Sequence, residues 1–244
     1  MLTINKTETY GWEHAIRGMR NPMNSWDKSD SAFGRNLAIP YCQNNPIVWI
    51  NEDGIEMYIG DNDLDLMKRL AKAGTDHRKY LRMITVWADI DAPLYWWKEF
   101  DTYKVGTVAS SCSTMHKIHT KKFTLDDFSH EHLIKTLKND CEVGVYWGTD
   151  ADTALDPTDV LETTIASLNA CREAYLKTKD KTYWWQMIQL LPSSYNQKRT
   201  VMMNYEVLAN IYKSRKNHKL DEWHAFCDWI ETLPYSILIT GDDR

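Results

Sequence analysis

Basic and hydroxyl-bearing residues are concentrated in the segment from Lys104 to Lys122. Its cations are Lys104, Lys117, Lys121 and Lys122, and its hydroxyls include Ser110, Ser111, Ser113 and Thr114. Small hydroxyl-bearing residues beside cations offer several hydrogen-bond donors to one phosphate group. A serine-rich segment near lysines is also a common form of solvated connection. The segment therefore predicts either an anion site or an exposed loop.

Histidine, tryptophan and arginine residues add further candidates. His116 and His119 are three residues apart, but no acidic residue stands at ligand spacing, so we predict no metal site. Trp96-Trp97 and Trp184-Trp185 could stack on a flat heterocycle, although such pairs most often pack in a core. Arg215 lies near the end of a predicted helix, where a cation offsets the negative end of the helix dipole.

Composition excludes several classes of protein. The 244 residues carry a formal net charge of -5, which argues against general nucleic-acid binding. No segment has the roughly 20 consecutive apolar residues of a membrane helix, and the N-terminus does not resemble a signal peptide. The 5 cysteines are widely spaced, without a C-x-x-C pair, which argues against a disulfide framework and a zinc finger. We expect a cytoplasmic protein without a membrane partner.

The hydrophobic pattern predicts an α/β protein. A strand predicted at Tyr80–Ile90 leads directly into an aromatic-rich helix at Asp91–Phe100. Other helices are predicted at Glu8–Met23, Leu64–Ala73, Thr158–Thr178, Lys181–Gln189, Thr200–Lys216 and Lys219–Leu233, and a short one near Thr124. We expect one domain over residues 1–244, with a hairpin insertion at about 44–60 around Asp53-Gly54 and an irregular excursion at about 121–157.

Three blocks share their order and spacing with a known family. They are Gly74–His77 with the strand that follows, Ala92–Phe100, and a C-terminal set made of Leu191-Pro192, Asn204, Asn210, Arg215 and Glu222-Trp223. These blocks resemble segments of the flavin-dependent thymidylate synthases (ThyX), namely G-H-x-S/T-x-x-E-H, the A-P-x-x-x-x-R-Q helix, and L-P with N-x-x-x-L-x-N-x-x-x-x-R and Q-W. The resemblance spans most of His77–Trp223.

The chain departs from the family pattern at its signature. Thr102-Tyr103-Lys104 replaces Arg-His-Arg, Cys112-Ser113-Thr114 replaces the phosphate-binding S-x-R, and Ile188 replaces the arginine before Leu-Pro. Arg82 stands in place of the upstream glutamate, and Thr107 in place of the following serine. Each charge-assisted hydrogen bond lost with an arginine is worth roughly 1.5–3 kcal/mol, so recognition of the substrate must be altered.

The resemblance implies an α/β (α+β) fold with a central mixed sheet and long helices. It also implies FAD as cofactor, a folate co-substrate, and transfer of a one-carbon unit to C5 of a pyrimidine nucleotide such as dUMP. Arg215 and Lys104 would be catalytic, and His77, Tyr103, Asn204 and Asn210 would contact the flavin. The implied substrate-binding residues are Glu99, Lys104, Ser110, Ser111, Ser113, Thr114 and Arg215. Family members are homotetramers with sites at subunit interfaces, so we expect Arg215 to face the hydroxyl-lined segment in such a site.

Two other functions stay open from the sequence. One is a non-catalytic protein that binds or sequesters a nucleotide, for instance a viral or defence-related factor, because the signature is lost while Arg215 remains. The other is a structural protein that has inherited only the fold. Binding without turnover distinguishes the former, and the absence of any effect of Arg215 on ligand affinity distinguishes the latter.

Overall fold

The computed structural model describes residues 2–37, 48–50, 54–135, 145–146 and 154–241, which contain both helices and strands, as predicted for an α/β (α+β) protein. The strands are β1 (Thr3–Tyr10), β2 (Ala32–Gly34), β3 (Val48–Ile50), β4 (Glu56–Tyr58), β5 (Thr85–Pro93), β6 (Thr107–Ser111), β7 (Val145–Tyr146), β8 (Ala154–Leu155) and β9 (Asn196–Asn204). The helices are α1 (Trp12–Arg20), α2 (Asp61–Lys72), α3 (Leu94–Phe100), α4 (Thr114–Lys117), α5 (Pro157–Thr178), α6 (Lys181–Leu190), α7 (Tyr205–Arg215), α8 (Asp221–Glu231) and α9 (Ile237–Thr240). None of these helices is both long and apolar enough to cross a membrane.

The largest sheet has the strand order β1-β5-β9-β6. Along β5, the buried residues Val86, Ala88 and Ile90 alternate with more exposed ones, which is the pattern of a strand with one face on a core. A smaller antiparallel sheet has the order β2-β4-β3, and Trp49 pairs with Met57 in it. The pairing of β3 with β4 joins the two apolar segments on which the hairpin was predicted.

Parts of two predicted regions lie outside the described residues. These are residues 44–47 and 51–53 of the predicted hairpin insertion, and residues 136–144, 147–150 and 151–153 of the predicted excursion. The short helix predicted near Thr124 is a 3-10 turn, Leu125–Asp127, with a capping box formed by Thr124 and Asp127.

The chain divides into two compact units, each assembled from separated segments. The first unit contains Asp91–Glu99 and Ser111–Lys198, and the second contains Leu2–Ile90, Phe100–Ser110 and Arg199–Arg244. The single domain expected from the length stays a prediction.

The core of the first unit forms where α5 packs against α6. Leu161, Ile165 and Leu168 lie on one face of α5 and pack with Phe128 and Met187, as the helical spacing predicts. Trp96 and Trp97 are fully buried, and the Trp97 indole N–H donates to the Gln197 carbonyl at 2.8 Å. This pair therefore packs in the core and offers no stacking surface.

Helix α7 is the centre of the second unit. It is buried over Tyr205–Ala209 and again at Ile211 and Tyr212, and it packs against α8 and α9. A helix on the surface of a globular protein exposes one face, so burial on so many sides indicates that other elements surround α7. The sequence predicted both ends of helices α5, α6 and α8 to within two residues.

The predicted helix at Glu8–Met23 is wrong over its first part. Residues Thr3–Tyr10 form β1, and the helix begins only at Trp12. Gly11 separates them with a φ of +87°, and a Cβ at this position would lie 2.0 Å from the Met83 carbonyl oxygen. A close approach in the left-handed region requires glycine, so the chain breaks there.

Two other boundaries also differ from the prediction. The predicted helix at Thr200–Lys216 is β9 up to Asn204 and a helix only from Tyr205. The predicted strand at Tyr80–Ile90 begins with a 3-10 turn at Arg78–Arg82, and β5 continues through Pro93 before α3 begins at Leu94. The strand at Thr200–Asn204 and the extension of β5 through Pro93 result from pairing within the sheet, a long-range interaction that overrides local propensity.

Helix α2 is attached to the preceding segment by a buried carboxylate. The helix begins at Asp61, three residues before the predicted start at Leu64, because Gly60 is the N-cap, and Asp63 is fully buried. Asp63 accepts a hydrogen bond from Arg20 at 2.6 Å, and others from the Ser29 and Ser31 hydroxyls, both at 2.7 Å. Burial alone would raise the pKa of the Asp63 carboxyl, but the bonds from Ser31, Ser29 and Arg20 lower it below the ordinary value.

We predict that Asp63→Asn lowers the free energy of unfolding by about 3–5 kcal/mol at pH 7, since it leaves the Arg20 guanidinium buried without a counter-ion. Urea denaturation measures this loss. The matched control is Asp65→Asn on the same helix, whose pair with Arg69 is exposed and is worth less than about 1 kcal/mol.

The same pair predicts a pH dependence. Because the pKa of Asp63 is lowered on folding, its contribution is complete above the unfolded value of about 3.9 and is lost as the pH falls through the lower folded value. The stability difference between the wild type and Asp63→Asn should therefore shrink below about pH 4. Equal losses for the Asp63 and Asp65 variants at pH 7 would contradict this account.

Candidate functional site

The guanidinium of Arg215 lies between two aromatic side chains of the second unit. Its Nε donates to the Tyr103 hydroxyl at 2.9 Å. Its Cζ lies 4.7 Å from the centre of the Trp223 ring and 5.6 Å from that of Tyr103. Because a guanidinium stacks well on aromatic faces, both rings fix its orientation as well as its position. The end of α7 thus presents a half-buried, oriented cation.

Asn204 positions the helix that carries Arg215. Its side-chain oxygen accepts from the Val207 N–H at 2.9 Å and caps α7. Its amide nitrogen lies against Gly106, where a Cβ would come within 2.6 Å of it. Gly106 follows Tyr103 by three residues, and the Thr107 hydroxyl donates to the Tyr103 carbonyl at 2.5 Å. The loop that holds Tyr103 is therefore in contact with the start of α7.

A second polar cluster surrounds Glu206 in the first turn of α7. Arg78 and Arg82 both donate to its carboxylate, and Arg78 also donates to the Asn210 side-chain oxygen at 3.0 Å. Burial of Glu206 would raise its pKa, but the bonds from Arg82 and Arg78 lower it below the ordinary value. His77 precedes Arg78 and is exposed. Arg78, the residue after His77, thus contacts Asn210, and a common flavin-binding role for His77 and Asn210 stays a prediction.

The hydroxyl-lined segment leads into a cavity of about 330 Å³ in the first unit. Cys112, Ser113, Asp127 and Tyr195 line it together with the lysines Lys117, Lys121 and Lys122. Lys121 forms an ion pair with Asp127 at 2.6 Å. Two hydrogen bonds hold Cys112 in the lining of this cavity. The Cys112 N–H donates to the Lys198 carbonyl at 2.9 Å, and the Gln197 side chain donates to the Cys112 carbonyl at 3.0 Å.

An acidic and a phenolic group near this cavity have raised pKa values. Burial raises the pKa of Asp91, and Lys198 acts against this. The Oδ1 atom of Asp91 is buried without a hydrogen-bond partner in the described structure. Burial also raises the pKa of the Tyr195 hydroxyl, and the charges of Asp127 and Asp91 add to this effect. The cavity therefore combines a cationic rim with a phenol that stays protonated at neutral pH.

The other predicted substrate residues are more scattered. Lys104 is exposed in the loop after Tyr103, and Glu99 is half-buried on α3. Ser110 and Ser111 are exposed on β6, and Thr114 begins α4. The Ser113 hydroxyl accepts from the His116 N–H at 3.1 Å, so part of its capacity is used in capping α4. Where the structure is described, no group of three or more His, Cys, Asp or Glu residues could hold a metal ion.

Sequence reasoning missed the partners that orient the predicted residues. Arg78, Glu206, Tyr195 and Asp127 were not among the predicted site residues. The position of Arg78 next to His77 was the one available signal, and nothing local indicated that Glu206 would receive two guanidinium groups.

No protein-family model matches the chain, and no curated protein matches its sequence. The fold does match solved structures. A flavin-dependent thymidylate synthase ThyX from Helicobacter pylori, complexed with FAD and dUMP, superposes with a TM-score of 0.61 over 98% of this chain and 98% of that chain, at 17% identity. The UMP/dUMP methylase PolB from Streptomyces cacaoi, bound with 5-Br UMP, superposes with a TM-score of 0.51 over 95% of this chain and 88% of that chain, at 11% identity.

The chain has a ThyX-like fold. This confirms the resemblance at the level of architecture, because the superposition extends over nearly all of both chains. At this identity the match establishes the fold alone. The roles of Arg215 and the other site residues in this ThyX-like chain therefore depend on their own contacts.

We predict that Gly106→Ala destabilises the ThyX-like chain more than Gly74→Ala does. Both glycines have a positive φ, +87° and +101°, so both variants meet the same backbone penalty of about 1–2 kcal/mol. Only the Gly106 variant also collides with Asn204, whereas nothing lies within 4 Å of a Cβ at Gly74. Urea denaturation measures both losses, and equal losses would show that Asn204 does not depend on Gly106.

Proposed function

We propose that this chain binds a pyrimidine nucleotide together with FAD and transfers a one-carbon unit from a folate to C5 of the nucleotide. The proposal is carried by the oriented guanidinium of Arg215, a residue to which the ThyX resemblance assigns catalysis and substrate binding. The fold match with a protein solved with FAD and dUMP supports it.

Arg215 acts on the base. A guanidinium beside a ring carbonyl oxygen stabilises the negative charge that develops there as C5 becomes nucleophilic. The Tyr103 hydroxyl accepts from Arg215 Nε and fixes its position. Trp223 lies over one face of the guanidinium, and shielding of that face from water strengthens its interaction with an oxyanion.

The residues present fit a flavin. The half-buried Tyr103 provides aromatic surface for a flat heterocycle, while the fully buried Trp223 packs edge-on against its ring. Asn204, Asn210 and His77 provide polar groups on the same unit. The Asn210 oxygen is occupied by Arg78, which leaves its amide N–H groups to donate to a carbonyl or phosphate oxygen. When bound, the flavin supplies the hydride, and the protein supplies position and electrostatics.

The phosphate of the nucleotide needs cations that the lost arginines no longer supply. Lys104 is exposed next to Tyr103 and offers an ammonium group on the same unit as Arg215. An ammonium is a point charge without the two-pronged geometry of arginine. We therefore propose that this chain recognises phosphate less specifically than the family signature would, and that its substrate differs from dUMP or is bound more weakly.

A second candidate is binding without turnover. It is favoured by Thr102-Tyr103-Lys104, because the tyrosine that stands where the family has histidine is already committed to Arg215. Incubation with dUMP, methylenetetrahydrofolate and reduced FAD, followed by mass spectrometry of the nucleotide, separates the candidates. A methylated product supports the enzyme, and binding without product supports the alternative.

We predict that Arg215→Ala weakens binding of dUMP about ten- to a hundredfold, since one or two charge-assisted hydrogen bonds are lost. Isothermal titration calorimetry measures the affinity. FAD binding is followed in parallel by flavin absorbance at about 450 nm.

The control for this variant is Arg69→Ala, which removes an exposed guanidinium paired with Asp65 on α2 and should leave both affinities unchanged. If the Arg215 variant binds dUMP as tightly as the wild type, the proposed role of Arg215 is wrong. If the wild type binds neither FAD nor any pyrimidine nucleotide, both candidates fail.

We also propose that the chain is a cytoplasmic homotetramer with sites at subunit interfaces. Apolar side chains are exposed beside the proposed site: Val105 is 89% exposed and Val108, on the edge strand β6, is 62% exposed. We predict that light scattering gives the mass of four 28.6 kDa chains, and that Val108→Lys on the edge strand lowers it. A monomeric wild type would contradict the assembly.

A further inference from the structure

A separate cavity of about 370 Å³ in the first unit is lined by basic and aromatic side chains. The residues that carry the argument are His116, His119, Tyr175, Lys179, Lys181 and Trp184. No acidic side chain is among the described residues that line it. Two lysines and two histidines thus face one small volume without an opposite charge, an arrangement that the proposed function does not use.

Contacts between three helices and the turn after α4 hold these groups in place. The Trp184 indole N–H of α6 donates to the Met115 carbonyl of α4 at 3.0 Å. The His119 ring, in the turn after α4, lies 5.0 Å from the Tyr175 ring of α5. The walls of the cavity are therefore set by packing and do not depend on a ligand.

Each lysine of the cavity lies over one of its rings. Lys179 Nζ is 5.8 Å from the centre of Tyr175, and Lys181 Nζ is 5.8 Å from the centre of Trp184. Cation–π contacts at exposed sites are weak, so they restrain an ammonium without saturating its three N–H donors. The ammonium groups stay available to an anion.

The histidines face cationic and aromatic neighbours. The Nδ1 atom of His119 is buried without a partner in the described structure, while Arg172 of α5 donates to the His119 carbonyl at 2.9 Å. Lys117 follows His116 on α4, and Asp180 precedes Lys181. Asp180 caps α6 through the Thr182 N–H at 2.8 Å, and this bond lowers its pKa, so that carboxylate is already engaged.

We propose that this cavity binds a phosphate-bearing anion, and that its affinity rises as His116 and His119 take up protons. Four convergent nitrogen donors suit a tetrahedral anion better than a planar carboxylate, because lysines act as point charges from several directions. A cavity of this size fits the phosphate end of a small molecule. The proposal does not depend on the proposed function, because it uses none of the residues assigned to that site.

Inorganic sulfate is the first probe, because its charge stays constant between about pH 5.5 and 8, where histidine titrates. We expect sulfate to bind the wild type about tenfold more tightly at pH 5.5 than at pH 8, since protonated imidazoles add charge-assisted hydrogen bonds. Calorimetric titration measures this ratio. Binding that is independent of pH would overturn the proposal.

Variants locate the binding. His116→Gln combined with His119→Gln should remove the pH dependence, and Lys179→Met combined with Lys181→Met should weaken binding about tenfold at both pH values. Lys177→Met, an exposed lysine of α5 outside the cavity lining, is the matched control. Thermal melts confirm that each variant is folded, and unchanged sulfate binding in both folded double variants would overturn the proposal.

A second comparison identifies the source of the phosphate. Inorganic pyrophosphate and adenosine diphosphate carry the same diphosphate group, and only the nucleotide can add contacts to Tyr175 and Trp184. Tighter binding of the nucleotide supports a nucleotide ligand, and equal binding supports an inorganic one. Arg215→Ala should bind sulfate like the wild type, so failure at this cavity and failure at the proposed active site give different results.

Discussion

The turn at Asn204 is the constraint on which the site in the second unit depends. There the chain leaves β9, and the side chain of Asn204 caps α7 by accepting from the Val207 N–H. α7 contains 11 residues, so at about 1.5 Å per residue it carries Glu206 in its first turn and Arg215 roughly 13 to 14 Å away at its end. Because a helix is rigid over this length, an error in the cap would move the guanidinium. Gly106 supports the cap by leaving room for the Asn204 amide.

Arginine and lysine have different uses in this chain. Several guanidinium groups are structural: Arg20 pairs with Asp63, Arg78 and Arg82 pair with Glu206, and Arg199 pairs with Asp101 at 2.7 Å. The fork of a guanidinium suits such fixed carboxylate partners. Five lysines instead line cavities in the first unit. Lys121 pairs with Asp127, and the other four place compact charges on flexible stems around these cavities. This division explains how a ThyX-like chain that lacks signature arginines still presents cationic pockets.

The changes in the signature have a physical consequence beyond lost charge. Tyr103 stands where the family has histidine, and its hydroxyl receives a hydrogen bond from Arg215. A tyrosine in this place adds an aromatic wall and a neutral acceptor, while it cannot bind phosphate as a guanidinium does. The guanidinium is thereby held in one orientation at the end of α7. In the proposed nucleotide site, Lys104 would supply the cation for the phosphate.

The sequence by itself determined the fold class and the helices with long apolar periodicity, and it singled out Arg215 as a candidate site residue. These inferences depend on local pattern or on spacing along the chain. It also located the hydroxyl-rich segment near the lysines. Only the tertiary structure decided that Thr200–Asn204 is a strand, that Trp96 and Trp97 are core residues, and that Glu206 receives two arginines. Strand pairing and ion pairing join residues more than 100 positions apart in the sequence. Arg78 and Glu206, for example, are separated by 128 positions. No local propensity encodes such a distance, so these features exist only once the chain has folded.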